Sequence, residues 1–187
     1  MTIATSPGQT QSRRRWLAWT AIALVALMVI AVSSANYAFV SSVVSAKVGA
    51  DSRNSGYALS AHYGLYVEPN VLVLDIRRID KAAPLDLFRG LFEASDALYA
   101  AGRRFDRVVL ARGGTDVFVM KGEDFGLLGQ QFGSGQNPIY LIRTLPEKLY
   151  KPTGEAAFGR WTGGLLGVLG KQMEDATAAG RRWAEGH

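Results

Sequence analysis

The sequence predicts an α/β fold class, with one N-terminal transmembrane helix followed by a small mixed α/β domain. Two observations carry this prediction. First, residues 16–46 are uncharged, and their apolar part, 16–32, has about 17 residues, the lower limit for crossing a ~30 Å hydrocarbon layer as a helix. Second, the rest of the chain alternates short β-branched apolar runs with a segment of helical periodicity, an order that is typical of α/β domains.

Aromatic residues near both ends of the uncharged stretch favour a spanning helix over a buried one. Trp16 and Trp19 lie at its beginning, and Tyr37 lies nearer its end. Trp16 and Tyr37 are about 21 residues apart, which is ~31 Å on a helix that rises about 1.5 Å per residue. One amphipathic ring would therefore lie at each membrane interface, where Trp and Tyr are enriched. The lipid bilayer is thus the first expected partner.

Positive charge is unequal on the two sides of this stretch. Arg13, Arg14 and Arg15 directly precede it, whereas Lys47 and Arg53 follow it and are separated by an acid. Because basic flanks stay in the cytoplasm, we expect a cytoplasmic N-terminus and an extracytoplasmic domain after about residue 47. This is the arrangement of a single-pass protein of the bacterial inner membrane.

Two alternatives concern the fate of this segment. The small residues Ser33, Ser34 and Ala35 are typical of a signal-peptidase site, and cleavage would leave a free exported domain. The apolar run exceeds the usual ~7–15 residues of a signal peptide, which favours a retained anchor. Residues 12–17 also resemble the twin-arginine export signal, with Trp16 where that family usually has Phe. This resemblance implies export of a protein that is already folded.

The chain divides into four predicted segments. Residues 1–15 are polar and form a disordered cytoplasmic tail, and residues 16–46 form the anchor with a helical extension. Residues 47–56 contain Gly, Ser and Asp and are predicted to be a flexible linker. Residues 57–187 form one extracytoplasmic domain, of a size at which an apolar core suffices without disulfides.

A strand–helix–strand unit is predicted in the core of the domain. Residues 71–76 are apolar and β-branched, as expected for a buried strand. Residues 82–101 have apolar side chains at helical spacing, with Pro84 in the first turn and a stop at Gly102. Residues 107–111 form the second strand, and a crossover of this kind makes the two strands parallel.

Three further elements complete the prediction. The glycine pair 113–114 predicts a two-residue hairpin turn, so that residues 115–120 form a strand antiparallel to the second one. A helix over 122–132 follows, giving a β-α-β-β-α core. Residues 139–145 are ambiguous between helix and strand, and we favour a strand. A glycine-rich C-terminal helix is predicted over 155–179.

Composition excludes several classes of function. The chain has 21 Lys and Arg and 16 Asp and Glu. The three arginines before the anchor supply part of the net charge of +5, which leaves 18 minus 16, or +2, for the rest. Basic residues are scattered among acids there, so no nucleic-acid partner is expected. The sequence has no cysteine, which excludes disulfides, thiolate ligands and thiol nucleophiles.

No cofactor and no metal are predicted. The adjacent acids Glu123 and Asp124 lie at the start of a predicted helix, where the helix dipole explains them better than a metal ion does.

Asp75 and His62 are the weak candidates for a catalytic or ligand-binding site. Asp75 interrupts the apolar strand 71–76, and a buried carboxylate needs a partner or a shifted pKa. A structural role is favoured, with Arg77, Arg107 or Arg112 as the partner. His62 lies among tyrosines, and because His187 is the last residue, histidine catalysis would depend on His62. A packed aromatic role is favoured for it.

Gly159, Gly163 and Gly167 recur at intervals of four residues in the predicted last helix. Glycine costs about 1 kcal/mol against alanine in a helix interior, so a stripe of three indicates close approach by another backbone. Packing inside the domain is favoured, and a protein partner or the membrane surface is the alternative.

The sequence therefore leads us to expect a non-enzymatic interaction or scaffolding module of the bacterial cell envelope, with a protein partner or a second copy of the chain. The alternative is an envelope enzyme or small-ligand binder that uses Asp75 and His62. A deep pocket that contains both residues would favour this alternative.

Overall fold

The structure, a computed structural model, describes the backbone of residues 8–162 and 165–187 and the side chains of residues 16–162 and 167–187. It has two compact units, Met1–Ala35 and Asn36–His187. The described residues of the first unit form the helix α1, Gly8–Asn36, which extends one residue into the second unit. Among the described residues, the helical stretch Trp16–Ala50 is long and apolar enough to cross a membrane by length and composition.

The second unit begins with helical residues that pack in its core. A π-helical turn at Tyr37–Ser41 leads into α2, Ser42–Ala50. Val40, Val44 and Val48, spaced four residues apart on one helical face, are buried in the core cluster. The compact unit thus starts about twenty residues earlier than the predicted domain start at residue 57. Part of the predicted linker 47–56 is helical.

Four strands form one sheet in the described part of the chain, in the order β1-β2-β3-β4. β2 and β3 are parallel and are joined through the helix α3, whereas the β1–β2 and β3–β4 pairs are antiparallel. The bounds are Tyr57–Gly64 for β1, Glu68–Ile79 for β2, Asp86–Ala100 for α3, Arg107–Arg112 for β3 and Thr115–Lys121 for β4. The α/β class and the parallel crossover are confirmed.

The tight turn between β3 and β4 is the predicted glycine hairpin. Gly113 and Gly114 have φ values of +57° and +86°, a left-handed conformation that glycine adopts without steric cost. β1 was not predicted, because its sequence, Tyr-Ala-Leu-Ser-Ala-His-Tyr-Gly, has no β-branched residue and looks like an aromatic patch.

In the described part of the chain, three α-helices follow the sheet: α4, Gly122–Gly133; α5, Pro138–Thr144; and α6, Leu165–Glu185. A short 3-10 helix, Leu145–Lys148, lies directly after α5. The strand predicted over 139–145 is wrong, because this segment is the helix α5. Its start has the residues that a helix needs: the side chain of Asn137 accepts a hydrogen bond from the Ile139 N–H, and Pro138 occupies the first turn.

The predicted start of the last helix at residue 155 is also wrong. Tyr150 forms isolated β-bridges with Val119 and with Ala156, so this part of the chain follows the edge of the sheet. The helix α6 begins later, at Leu165.

The core lies on one face of the sheet. On β2, Leu72, Leu74 and Ile76 are fully buried and belong to the same apolar cluster as Phe88 and Leu91 of α3. Because side chains alternate along a strand, the intervening residues of β2 point to the opposite face. That opposite face carries the candidate site.

Candidate functional site: a cavity on the open face of the sheet

The face of the sheet opposite α3 holds a cavity of about 550 Å³. Alternate residues of strands β1, β2 and β3 form most of its floor, as expected from the alternation of side chains along a strand. The polar lining residues are His62, Glu68, Asp75, Arg77, Arg107 and Asp116, and the apolar ones include Leu65, Tyr66, Val71, Val73, Val109 and Ala111. The structure thus brings together the two site candidates that the sequence indicated, Asp75 and His62.

The strand register shows that the cavity is elongated. In the parallel β2–β3 pair, Val71 lies beside Arg107 and Asp75 lies beside Ala111. Four residues along a strand correspond to roughly 13 Å at about 3.3 Å per residue. One end therefore contains Asp75, the other contains Arg107, and valines line the floor between them.

Asp75 is completely buried, and its two carboxylate oxygens have different surroundings. Oδ2 accepts a hydrogen bond from the Gly114 N–H at 2.9 Å and lies 3.1 Å from Arg77 Nε. Oδ1 is buried and has no hydrogen-bond partner among the described residues. Buried polar atoms in folded proteins nearly always have a partner, so Oδ1 calls for a hydrogen-bond donor from outside the described residues, either a water molecule or a ligand.

Of the three arginines that the sequence suggested as partners of Asp75, the structure pairs Arg77 with it. Arg112 instead donates to the backbone oxygens of Ile76 and Ala184. Arg107 is exposed at the opposite end of the cavity, and it forms no ion pair within the described part of the chain.

His62 is fixed by two contacts. Its Nδ1 lies 2.8 Å from the backbone oxygen of Tyr63, and its ring stacks on Tyr66 with 4.3 Å between centroids. Because a carbonyl oxygen accepts hydrogen bonds, Nδ1 carries the proton, and Nε2 of a neutral ring is an acceptor. No Ser or Thr hydroxyl among the described side chains is hydrogen-bonded to His62, so a nucleophile–base pair is not assembled here.

A second polar cluster lies between α2 and α3, and sequence reasoning missed it. The buried Asn54 donates to Glu93 Oε2 at 2.6 Å and to the Val48 oxygen at 2.9 Å, and it accepts from the Tyr57 hydroxyl at 2.8 Å. Burial raises the pKa of Glu93, and the nearby Asp51 raises it further. A buried Asn in a segment that looks like a linker gives no signal in the sequence.

The other predicted site residues are not brought together in the described structure. Gly159 precedes α6, and a Cβ added at Gly159 or at Gly167 would meet no atom within 4 Å. Gly163 lies outside the described residues. Neither of the two described glycines therefore has the close backbone neighbour that the stripe predicted. Their role in binding a partner stays a prediction.

The membrane-flank residues Trp16, Trp19 and Tyr37 are 71%, 68% and 68% exposed. The side chains of Arg13, Arg14 and Arg15 lie outside the described ones. Among the described residues, no group of three or more His, Asp or Glu side chains could hold a metal ion.

No protein-family model, curated protein or solved structure matches this chain. The geometry of the cavity and the membrane segment are therefore the features that bear on its function.

Proposed function

We propose that the chain is a membrane-anchored binding protein whose domain holds a small ligand in the open-face cavity, without chemical conversion of that ligand. The observation that carries this proposal is Asp75, which lines the cavity and whose buried Oδ1 has no partner among the described residues. A ligand N–H or O–H group would satisfy this acceptor.

The cavity also indicates the shape of the ligand. Its floor between Asp75 and Arg107 consists of valines, which suits an apolar body about as long as the ~13 Å floor. We therefore propose an elongated amphiphile with a hydrogen-bond-donating head at Asp75. Arg107 is available for an acceptor group at the other end.

The location of the protein is part of the same proposal. Residues 16–35 have largely exposed apolar side chains, as expected of a helix whose surroundings are lipid. The arginines 13–15 favour a cytoplasmic N-terminus. We propose a single-pass anchor in the bacterial inner membrane, with the domain on the extracytoplasmic side.

A probe with a defined head group tests the binding function. The full chain in lipid nanodiscs is heated with increasing n-hexylammonium, and thermal unfolding is followed by circular dichroism. A ligand that binds only the folded state raises the midpoint temperature. We expect a rise for the wild type and no rise for Asp75→Asn, in which the amide oxygen can still accept from the Gly114 N–H.

Asp80→Asn is the matched control, because Asp80 is an exposed carboxylate that does not line the cavity. It should respond to hexylammonium as the wild type does, and neutral n-hexanol should have a smaller effect on all three proteins. Equal rises for the wild type and for Asp75→Asn would mean that the head group does not meet Asp75, and the proposal would be wrong.

A scaffolding function is the second proposal, and exposed apolar surface at the start of α5 favours it. Ile139 and Tyr140 are adjacent and are 60% and 39% exposed. Two results together would replace the ligand-binding function by the scaffolding one. Hexylammonium would not raise the midpoint temperature of the wild type, and the double substitution Ile139→Ser and Tyr140→Ser would remove a protein that co-purifies with the wild type from solubilised membranes.

A further inference from the structure

The turn between β1 and β2 exposes three consecutive apolar side chains. Leu65, Tyr66 and Val67, called the hairpin tip below, are 79%, 50% and 62% exposed. Leu65 and Tyr66 also have positive φ values of 45° and 63°, a conformation that is disfavoured for side chains of this size. Positive φ at both positions is the usual shape of a hairpin turn, but Gly, Asn and Asp are the residues that normally occupy it, so the composition of this turn is unusual for a solvated surface.

The hairpin tip is fixed beside Asn36, the first residue of the compact unit. Asn36 Nδ2 donates to the Tyr66 backbone oxygen at 2.6 Å, and Asn36 Oδ1 accepts from the Tyr63 N–H at 2.7 Å. Asn36 itself is 4% exposed. The position of the tip is therefore tied to the position of residue 36.

Residue 36 is also where a spanning helix would leave the hydrocarbon layer. Residues 16–35 form about twenty helical positions, which correspond to ~30 Å at about 1.5 Å per residue and match the thickness of that layer. Asn36 follows Ala35 directly in the chain. With residues 16–35 spanning that layer, the covalent link would place Asn36 at the membrane boundary, and the hydrogen bonds of Asn36 would hold the backbone of Tyr63 and Tyr66 close to the same level.

Neighbouring side chains have the chemistry of a membrane interface. Tyr37 is 68% exposed, and Tyr is enriched at the level of the lipid headgroups. The guanidinium of Arg103 lies over the ring of Phe39, 4.5 Å from its centroid, and the exposed Arg104 follows it. Basic residues beside exposed aromatic ones suit contact with lipid phosphates.

We propose that the hairpin tip inserts into the interfacial layer of the same bilayer that holds the anchor, with Arg103 and Arg104 at the headgroups. The proposal rests on the proposed anchoring of residues 16–35. Because Leu65 and Tyr66 also line the open-face cavity, an inserted tip places one end of that cavity against lipid. An amphiphilic ligand then enters the cavity from the membrane.

Single-cysteine labelling tests the insertion, since the sequence contains no cysteine. The environment-sensitive fluorophore NBD is attached to Leu65→Cys, to Leu27→Cys within the apolar helix, and to Thr115→Cys at the β3–β4 turn. Thr115 is exposed and lies at the opposite end of the same sheet. The full-length proteins are placed in phosphatidylcholine–phosphatidylglycerol nanodiscs, with or without lipids that carry a quencher near the headgroup or deep in the acyl chain.

We expect a blue-shifted emission at position 65 and loss of most of its fluorescence with the shallow quencher. Position 27 should be quenched by the deep quencher, and position 115 by neither. Val67→Cys, at a residue without positive φ, should reproduce the result for position 65 and exclude an effect of altered turn geometry.

The remaining outcomes separate the two proposals. Quenching at position 27 with a water-like emission at position 65 would leave the anchor intact and overturn the insertion of the tip. A blue shift at position 65 without quenching by lipid would mean that a protein surface covers the tip, which also overturns it. Absence of quenching at position 27 would overturn the anchoring itself.

Discussion

Asp75 combines a structural bond and an open acceptor in one carboxylate. Oδ2 accepts from the N–H of Gly114 in the β3–β4 turn, whereas Oδ1 has no partner among the described residues. Arg77, the charged neighbour, has a side chain that is 48% exposed, so water can solvate it if the carboxylate is removed. The structural role of Asp75 is therefore mainly its hydrogen bond with Gly114 in the β3–β4 turn.

Substitution of Asp75 separates these two parts. Asp75→Ala removes the acceptor of a backbone N–H beside a buried site and should lower the free energy of unfolding by about 1–3 kcal/mol. Asp75→Asn keeps an acceptor and should cost less. Urea denaturation of both variants measures the difference, with the exposed Asp116→Ala as a control expected within about 0.5 kcal/mol of the wild type. Equal losses for Ala and Asn would contradict the role given to the Gly114 bond.

Glu93 makes stability depend on pH. Burial and the nearby Asp51 raise its pKa, against the opposing effects of the Asn54 hydrogen bond and of Arg53; Lys47 lies close enough to interact with it as well. A carboxyl group whose pKa is higher in the folded than in the unfolded state contributes stability below its unfolded pKa. It loses that contribution as the pH rises through the folded pKa.

Glu93→Gln should therefore raise the midpoint temperature at pH 7, since it removes the charge that burial disfavours while an amide oxygen still accepts from Asn54. The gain should disappear near pH 4, where the wild-type carboxyl group is protonated in both states. Thermal melts of both proteins from pH 4 to pH 8 measure this. Glu174→Gln, at an exposed glutamate of α6, controls for the loss of one charge. A gain of equal size at every pH would argue against burial as the cause.

At the scale of elements, α3 and α4 pack closely at a glycine. This glycine lies on α4, a helix for which the sequence did not predict such a contact. A Cβ at Gly129 of α4 would overlap the backbone oxygen of Ser95 of α3. A Cβ at Gly126, one turn earlier, would lie 3.8 Å from the ring of Tyr99, which is an ordinary contact. The glycines of the C-terminal segment suggested close approach by their spacing, but spacing alone does not show which glycine meets a neighbour.

These two glycines of α4 make a matched pair. Gly126→Ala should raise the free energy of unfolding by about 0.5–1 kcal/mol, because alanine is the better helix former. Gly129→Ala gains the same propensity but forces α3 and α4 apart, which typically costs about 1–3 kcal/mol. Denaturant unfolding of both variants measures the contrast. Stabilisation by both substitutions would contradict the close packing of α3 on α4.

The elements that the sequence predicted well are those with a local physical signal. Strands β2, β3 and β4, helix α3 and the 113–114 turn follow from apolar periodicity and glycine chemistry. The sequence of β1 lacks that signal, and α5 has β-compatible residues whose helical state is decided by the cap at Asn137 and Pro138.

The candidate site was predictable only as separate residues. Asp75 is a candidate because it is a carboxylate in an apolar strand, and His62 because the second histidine, His187, is the last residue. Their common cavity depends on the antiparallel register that sets His62 opposite Val73 and Ser60 opposite Asp75. Because β1 was not recognised as a strand, this register could not be derived.

At the scale of the whole molecule, the proposed topology depends on the charge difference across the anchor. Arg13, Arg14 and Arg15 flank one end, and the other end leads directly into the compact unit at Asn36. Positive residues near a membrane segment resist translocation, so three arginines should be enough to hold the N-terminal tail in the cytoplasm.

Cysteine accessibility in intact cells tests this orientation. With the chain produced in a bacterium whose outer membrane has been permeabilised, a membrane-impermeant maleimide should label Thr115→Cys. It should label Thr5→Cys, in the tail, only after the inner membrane is lysed. Replacement of Arg13, Arg14 and Arg15 by serine removes the charge difference, and the protection of position 5 should then be lost in part of the population. Labelling of position 5 and protection of position 115 in cells with an intact inner membrane would reverse the proposed topology.

Mass spectrometry of the purified protein tests whether the anchor is retained. Loss of residues 1–35 would show that this segment is a cleaved signal peptide.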